Sequence, residues 1–398
     1  MSSDYSNDPA VNNLRNYLRI RSVHPNVNYD ECIKYLKDQA KELGLPVQVF
    51  EPLPRKPVLV ITWEGLEPTF PTILLNSHMD VVPVFEKSWK HPPFEAQLED
   101  GVIYARGVQD MKSIGVQYIE AVRRLKAKGI RMKRTVHLSF MPDEETGGAT
   151  GMGVFVKTKD FQNLNVGFSL DEGLASPTED YIVYNGERTI YHVNISCAGK
   201  SGHGSQLLPD NAGEKVRYII DKFLKFRQQS KQKLADDPSL TIGDVTSVNL
   251  TMLSGGIQSN VVPEKLSATF DVRLAPTFKP EDFETMLNAW CKEAGPNVTI
   301  EYIQRDPYVA PTVLNENNLY WQAFKNAADK LKIKLTTRIF PGGTDSRFIR
   351  DLSVPALGFS PMSCTVPGLH EHEENLRADV FLKGIQLYEE LVPAVANV

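Results

Sequence analysis

Apolar residues follow two rhythms along this chain. Four short runs, at residues 58–63, 72–75, 136–141 and 166–170, are apolar on both faces, and helical stretches such as 111–128 separate them. Runs of this kind predict strands covered on both sides, and with them an α/β domain. From about residue 187 to 305 the rhythm becomes strict alternation. Leu266, Ala268, Phe270, Val272 and Leu274 interleave with Ser267, Thr269, Asp271 and Arg273, and residues 190–197 behave alike. One face of such strands is buried and the other wet. Amphipathic stretches at 211–233 and 281–293 can cover the buried face. The pattern therefore predicts a smaller α+β domain, 187–305, inserted between the two parts of the α/β domain, 1–186 and 306–398. The last part carries helical stretches at 317–331 and 377–391 and a short apolar run at 355–358.

Composition narrows the function classes. The chain has 398 residues, 41% of them apolar, which fills the cores of two or three domains and excludes disorder or a fibre. With 44 basic and 49 acidic residues the net charge is -5, so nothing draws nucleic acid or anionic membrane to the surface as a whole. The basic cluster from Arg123 to Arg134 reads as cations at a helix C-terminus and in a solvated turn. No aromatic spacing suggests base stacking, no dinucleotide fingerprint is present, and no stretch reaches the roughly 18 apolar residues of a membrane span. Cys32, Cys197, Cys291 and Cys364 are scattered without CxxC pairing, which suits a reducing compartment. Residues 1–8 are polar and acidic, without the apolar stretch of a secretion signal. A soluble cytoplasmic protein is expected.

In an open α/β sheet, ligands gather beyond the carboxyl ends of the strands. The run 72–75 is followed by Asn76-Ser77-His78-Met79-Asp80, the run 136–141 by Pro142-Asp143-Glu144-Glu145, and the run 166–170 by Asp171-Glu172-Gly173. Carboxylates crowded at one edge repel each other and resist desolvation, so solvent or cations must neutralise them. Divalent metal does so with the fewest ions. His78 and Asp80 point to one side of an extended chain. Asp80 is then in range to hold the ring N–H that a metal-bound histidine leaves free. Asp110, where a glycine-bearing loop runs into a helix, can cap that helix, ligate metal, or do both.

Together, His78-Met79-Asp80, Gly107-Val108-Gln109-Asp110, Asp143-Glu144-Glu145-Thr146-Gly147, Asp171-Glu172-Gly173 and the late His370 resemble the di-zinc aminoacylase and carboxypeptidase family, over essentially the whole chain. The resemblance implies a zinc-exopeptidase-like mixed sheet flanked by helices, with the insert acting as a lid and dimerisation domain. It also implies two zinc ions per subunit. Asp110 would bridge them, His78 and Glu172 would complete one site, and Glu145 and His370 the other. Glu144 would be the general base, with Asp80 counted among the catalytic residues. Three carboxylates against four positive charges leave the first shell cationic, which suits activation of water and polarisation of a carbonyl. His370 is selected over His372 because relatives carry a glutamate four residues after the ligand, here Glu374. The segment is not HExxH, since position 374 is glutamate.

The implied reaction is hydrolysis of an N-acyl-L-amino acid to a carboxylate and a free amino acid. Dipeptidases and carboxypeptidases of the same family share these motifs. A catalytically silent binding or regulatory protein on this scaffold is disfavoured, because all five candidate ligands and the base are present. The segment from Gly199 to Ser205 fits neither a P-loop nor a nucleophile elbow. By resemblance, His203 in that segment comes from the lid, reaches the active site of the other protomer and stabilises the tetrahedral oxyanion, which implies a homodimer. Asn260 and Arg273 match lid positions that hold the substrate carboxylate, a task suited to the arginine fork. Gly343 and Thr344 lie in a loop that relatives place near the substrate. Relatives also hold a cis peptide after Asp110. His24, His91, His137 and His192 lack motif context and read as structural.

Overall fold

A computed structural model describes residues 4–398; residues 1–3, the start of the polar N-terminal segment, lie outside the described residues. The chain divides into two units. The first runs through Asn185 and resumes at Thr312–Thr337 and Thr344–Val398; the second holds Gly186–Pro311 and Arg338–Gly343. The second unit thus reaches past the expected end at 305 and takes in a separate segment. Backbone contacts rather than apolar periodicity hold that segment. Arg188 donates from Nε and Nη2 to the Pro341 carbonyl at 2.9 and 2.6 Å, and a Cβ at Gly243 would stand 2.0 Å from the Ile339 carbonyl oxygen.

The fold is mixed α/β. Its large sheet has eight strands in the order Val47–Leu53, Lys56–Trp63, Val136–Met141, Thr72–His78, Val166–Asp171, Ala356–Phe359, Tyr181–Glu187 and Leu335–Phe340. Thr72–His78 runs parallel to both Val136–Met141 and Val166–Asp171, so the three acid-bearing segments leave the sheet at one edge. Alternate residues of one strand enter different cores. Leu59 and Ile61 join the cluster that includes Tyr17, Ile114, Phe381 and Leu391, whereas Val58 and Val60 pack with Met152, Phe155 and Ile349. That is the two-sided burial a continuous apolar run requires.

Two helices seal one face. In Lys112–Ala127 even Lys112 is buried, its ammonium donating to the Ile20 carbonyl at 2.7 Å. Ala378–Ala396 packs beside it, and Gln117 Nε2 donates to the Phe381 carbonyl at 3.0 Å. Gly384 lies against that contact.

The second unit contains a four-stranded antiparallel sheet, in the order Ser247–Gly255, Lys265–Leu274, Thr189–Ala198, Val298–Arg305. Ala268, Phe270, Val272 and Leu274 are buried with Tyr191, Val193 and Ile195 under the helices Ala212–Asp236 and Pro280–Ala294. The rings of Phe223 and Phe270 stack at 3.8 Å. The edge strand Ser247–Gly255 leaves Met252 and Leu253 exposed. Among the described residues no helix is long and apolar enough to cross a membrane.

A Cβ at Gly384 would meet Gln117 Nε2 at 2.1 Å and Pro361 Cγ at 2.9 Å. Gly384→Val is therefore expected to destabilise the protein by about 1–3 kcal/mol, the cost of overfilling a packed contact. The urea midpoint measures it, and an unchanged midpoint would show that Gln117 can move aside freely.

Candidate metal centre

The strand ends deliver their side chains to one cluster in the first unit. Oxygen or ring-nitrogen atoms of His78, Asp110 and Glu172 lie within 4.8 Å of one another, as do those of Asp110, Glu145 and His370. Asp110 belongs to both groups and divides its oxygens between them. Its Oδ1 lies 3.0 Å from His78 Nε2 and its Oδ2 3.3 Å from His370 Nε2. Glu172 Oε2 is 3.7 Å from His78 Nε2, and Glu145 Oε2 is 3.0 Å from His370 Nε2. His78, Asp110 and Glu172 are buried, while the His370 ring is 55% exposed and forms the open side. His372, the other candidate in that segment, sits against the rings of Phe85 and Trp89.

Local backbone conformations present these groups. Asp143 adopts φ 59°, which turns the chain sharply after the Val136–Met141 strand so that Glu144 and Glu145 follow in a single short turn. Tyr29, Thr150 and Lys56 pin the Asp143 carboxylate at 2.8, 2.6 and 2.5 Å. Asp110 follows Gly107, whose φ of 86° and whose 2.8 Å clearance from a Cβ to Val81 Cγ1 suit only glycine. The Asp110–Met111 peptide is cis. Asp110 does not cap the following helix. Met111 occupies that position without a side-chain cap, and the Asp110 carboxylate faces the two histidines instead.

A residue used only as a spacing cue turns out to hold this loop. Glu374 is buried, and its carboxylate accepts backbone N–H groups of Gly107, Gln109 and Asp110 at 3.0, 2.7 and 3.3 Å and the Arg106 guanidinium at 2.6 Å. The Asp110 loop and the His370 segment are thereby tied together. An acid four residues after His370 is the available signal in the sequence; the backbone it serves is not legible there.

The Asp80 carboxylate serves the Glu144–Glu145 turn, not the His78 ring. The sequence places its carboxylate in range of the His78 ring, yet His78 Nδ1 bonds the Asp80 backbone carbonyl at 2.9 Å, and the nearer carboxylate oxygen is 3.7 Å away. The carboxylate instead accepts the N–H of Glu144 on Oδ1 at 3.2 Å, and the N–H of Glu145 and His24 Nε2 on Oδ2 at 3.0 and 2.8 Å. Two unpaired backbone donors in a tight turn outbid one imidazole that already has an acceptor. His24, read as structural, therefore touches the centre's supporting network. The other three have local partners: His91 lies between Glu99 and Glu373, His137 beside Thr62, and His192 beside Asp271.

Electrostatics test whether metal fits. Burial, then the negative charge of neighbours, pushes Glu172 and Glu144 well above the usual carboxylate range, and Glu145 up to about 7. Burial opposes ionisation of Asp110 too, but the hydrogen bonds from His370 and His78 hold it well below that range. Burial alone would depress His78, and Glu172, Asp110 and Asp80 overcome it. Glu145 Oε1 is buried with no hydrogen-bond partner. Acids left this close and this dry are what divalent cations compensate, and the donor set of imidazole and carboxylate suits them.

The remaining candidates lie elsewhere. Thr344 is buried in the first unit, with Ser346 N–H donating to its Oγ1 at 3.3 Å, whereas Gly343 belongs to the second. In the second unit His203 is exposed and its Nδ1 lies 2.8 Å from Ser205 Oγ. Asn260 accepts the Gly204 N–H on its carbonyl at 2.7 Å. Arg273 spends Nε and Nη2 on Asp271 at 2.8 and 2.9 Å.

The sheet, the inserted unit and the paired acid–histidine groups define a class of metallopeptidase. Residues 74–394 match the model of peptidase family M20/M25/M40, and the chain belongs to that family. Among curated proteins it is 48% identical over 396 residues to mouse aminoacylase-1, covering 99% of this chain and 97% of that one. It is 42% identical to aminoacylase-1 of Dictyostelium discoideum, covering 96% and 97%. Among solved structures, the M20 metallo-carboxypeptidase Sso-CP2 from Sulfolobus solfataricus shares the fold, with a TM-score of 0.76 at 19% identity over 98% of this chain and 99% of that one.

Chelating divalent metal from the purified protein is expected to lower its thermal midpoint, because the buried acids lose their compensation and native-state binding no longer contributes. Calorimetry with and without restored metal checks it. A midpoint indifferent to both would argue against a metal centre.

Proposed function

We propose that this chain is a zinc-dependent amidohydrolase that cleaves N-acyl-L-amino acids to a carboxylate and a free amino acid. The observation that carries the reading is the pair of histidine–carboxylate groups sharing Asp110, with Glu144 beside them and outside both. The near full-length likeness to aminoacylase-1 supports the choice of substrate class. His78, Asp110 and Glu172 would hold one zinc ion, and Asp110, Glu145 and His370 the second. Bound there, the ions would supply Lewis acidity toward the acyl carbonyl and lower the pKa of water.

The chain's own residues do the rest. The Glu144 carboxylate makes no hydrogen bond to another described residue, so it is free to take the proton of the attacking water and deliver it to the leaving amine. Its burial among acids favours the protonated form, which suits the delivery step. From the lid, His203 would donate to the oxyanion, and Asn260, Arg273, Gly343 and Thr344 would position the substrate. The Asp271 partner of Arg273 leaves its Nη1 donors for a carboxylate.

A homodimer through the lid belongs to the same proposal. Supporting it, the edge strand Ser247–Gly255 presents open backbone groups with Met252 and Leu253 at 63% and 62% exposure, a surface suited to a second copy. A cytoplasmic location is proposed on the four free thiols.

Glu144→Gln is expected to keep its metal and lose about a hundred- to ten-thousandfold in kcat. Elemental analysis beside a hydrolysis screen of acetylated amino acids and dipeptides checks this, and also identifies the substrate. Turnover of dipeptides alone would move the reading to a dipeptidase or carboxypeptidase, and none at all with zinc loaded would leave a silent scaffold. Mixing His203→Ala with Glu144→Gln subunits is expected to restore part of the activity. Verified heterodimers without recovery would place His203 outside a shared site.

A further inference from the structure

We propose that His24 is a positioning residue for the base, acting through Asp80. The proposal rests on the reading of Glu144 as proton carrier. Residues 22–24 lie alongside residues 79–81 as a short parallel bridge. Val81 N–H donates to the Ser22 carbonyl at 2.9 Å, His24 N–H to the Val81 carbonyl at 3.1 Å, and Ser22 Oγ to the Met79 carbonyl at 2.6 Å. The backbone of His24 is therefore fixed to the segment that carries Asp80. Its Nε2 meets Asp80 Oδ2 at 2.8 Å and stands 3.9 Å from Asp143 Oδ1, with 11% of the side chain exposed.

The Asp80 carboxylate has two sets of donors within reach. On one side are the N–H groups of Glu144 and Glu145; on the other is His78 Nδ1, 3.7 Å from Oδ1 and bonded to the Asp80 carbonyl. His24 reinforces the first set. By donating to Oδ2 it keeps the carboxylate over the Glu144–Glu145 turn, so that one fully buried anion anchors the base and a ligand-bearing residue at once. Without that donor the buried carboxylate keeps only the two backbone N–H groups, Oδ2 loses one of its two partners, and the turn is held less firmly. Lys56, Tyr29 and Thr150 would still hold Asp143, so the fold survives while the base drifts. A glutamine at position 24 can place its amide Nε2 where the ring Nε2 stands and donate the same bond without charge. Leucine cannot.

Full-length, metal-loaded enzyme tests this with the amide the wild type hydrolyses. His24→Leu is expected to lower kcat ~10- to 100-fold, since small displacements of a reacting group have that effect. His24→Gln is expected to stay within about threefold of wild type, with KM and metal content unchanged in both, which separates transition-state from ground-state effects. Combined with Asp80→Asn, His24→Leu should add no further loss, because both changes cut one chain of contacts. Wild-type kcat in His24→Leu, an equal loss in His24→Gln, loss of metal, or independent losses in the double variant would each overturn it. Should His24→Leu not fold, His24→Asn, whose amide falls short of Asp80, carries the same comparison. Unaltered turnover in Glu144→Gln would instead fail the parent reading and leave the coupling of His24 to Asp80 separately measurable.

Discussion

The organising constraint in this protein is a repulsion the polypeptide does not relieve alone. Asp110, Glu144, Glu145 and Glu172 converge at one sheet edge with little water, and two histidines are the nearest opposing charge. Folding brings them there because apolar burial on both faces of the sheet aligns the strand ends, and hydrophobic association is indifferent to what those ends carry. The result is a candidate cation site, a by-product of how firmly the sheet holds its acids together.

Around that cluster the polar groups divide the work of holding still. Asp80 and Asp143 brace the turn that bears Glu144 and Glu145, and Glu374 braces the loop that bears Asp110. Each brace is a carboxylate that accepts hydrogen bonds from main-chain N–H groups or neighbouring side chains, which is how a loop without regular secondary structure becomes rigid. None of the three lies in the two candidate ligand groups.

Much of the scaffold was legible because its signals are local. Two-sided runs announced the buried strands, strict alternation announced the half-exposed ones, and acid or imidazole just past a run marked the edge that matters. What escaped depends on contacts between distant segments. His24 is 56 residues from Asp80, with no motif to connect them. Asp80 was assigned to its neighbour His78 because sequence separation cannot reveal that the Glu144–Glu145 turn, 64 residues on, would offer it better donors. Arg338–Gly343 joined the second unit through main-chain contacts that leave no hydrophobic trace.

The cradle around Glu374 also sets an order of events during biosynthesis. Asp110 and its loop are made first, and the Glu374 carboxylate that steadies them follows 264 residues later, with His370 just ahead of it. A nascent chain, however well its sheet has formed, carries only an incomplete ion site. A chain truncated before residue 370 would lack both the brace of the Asp110 loop and one imidazole of the candidate centre.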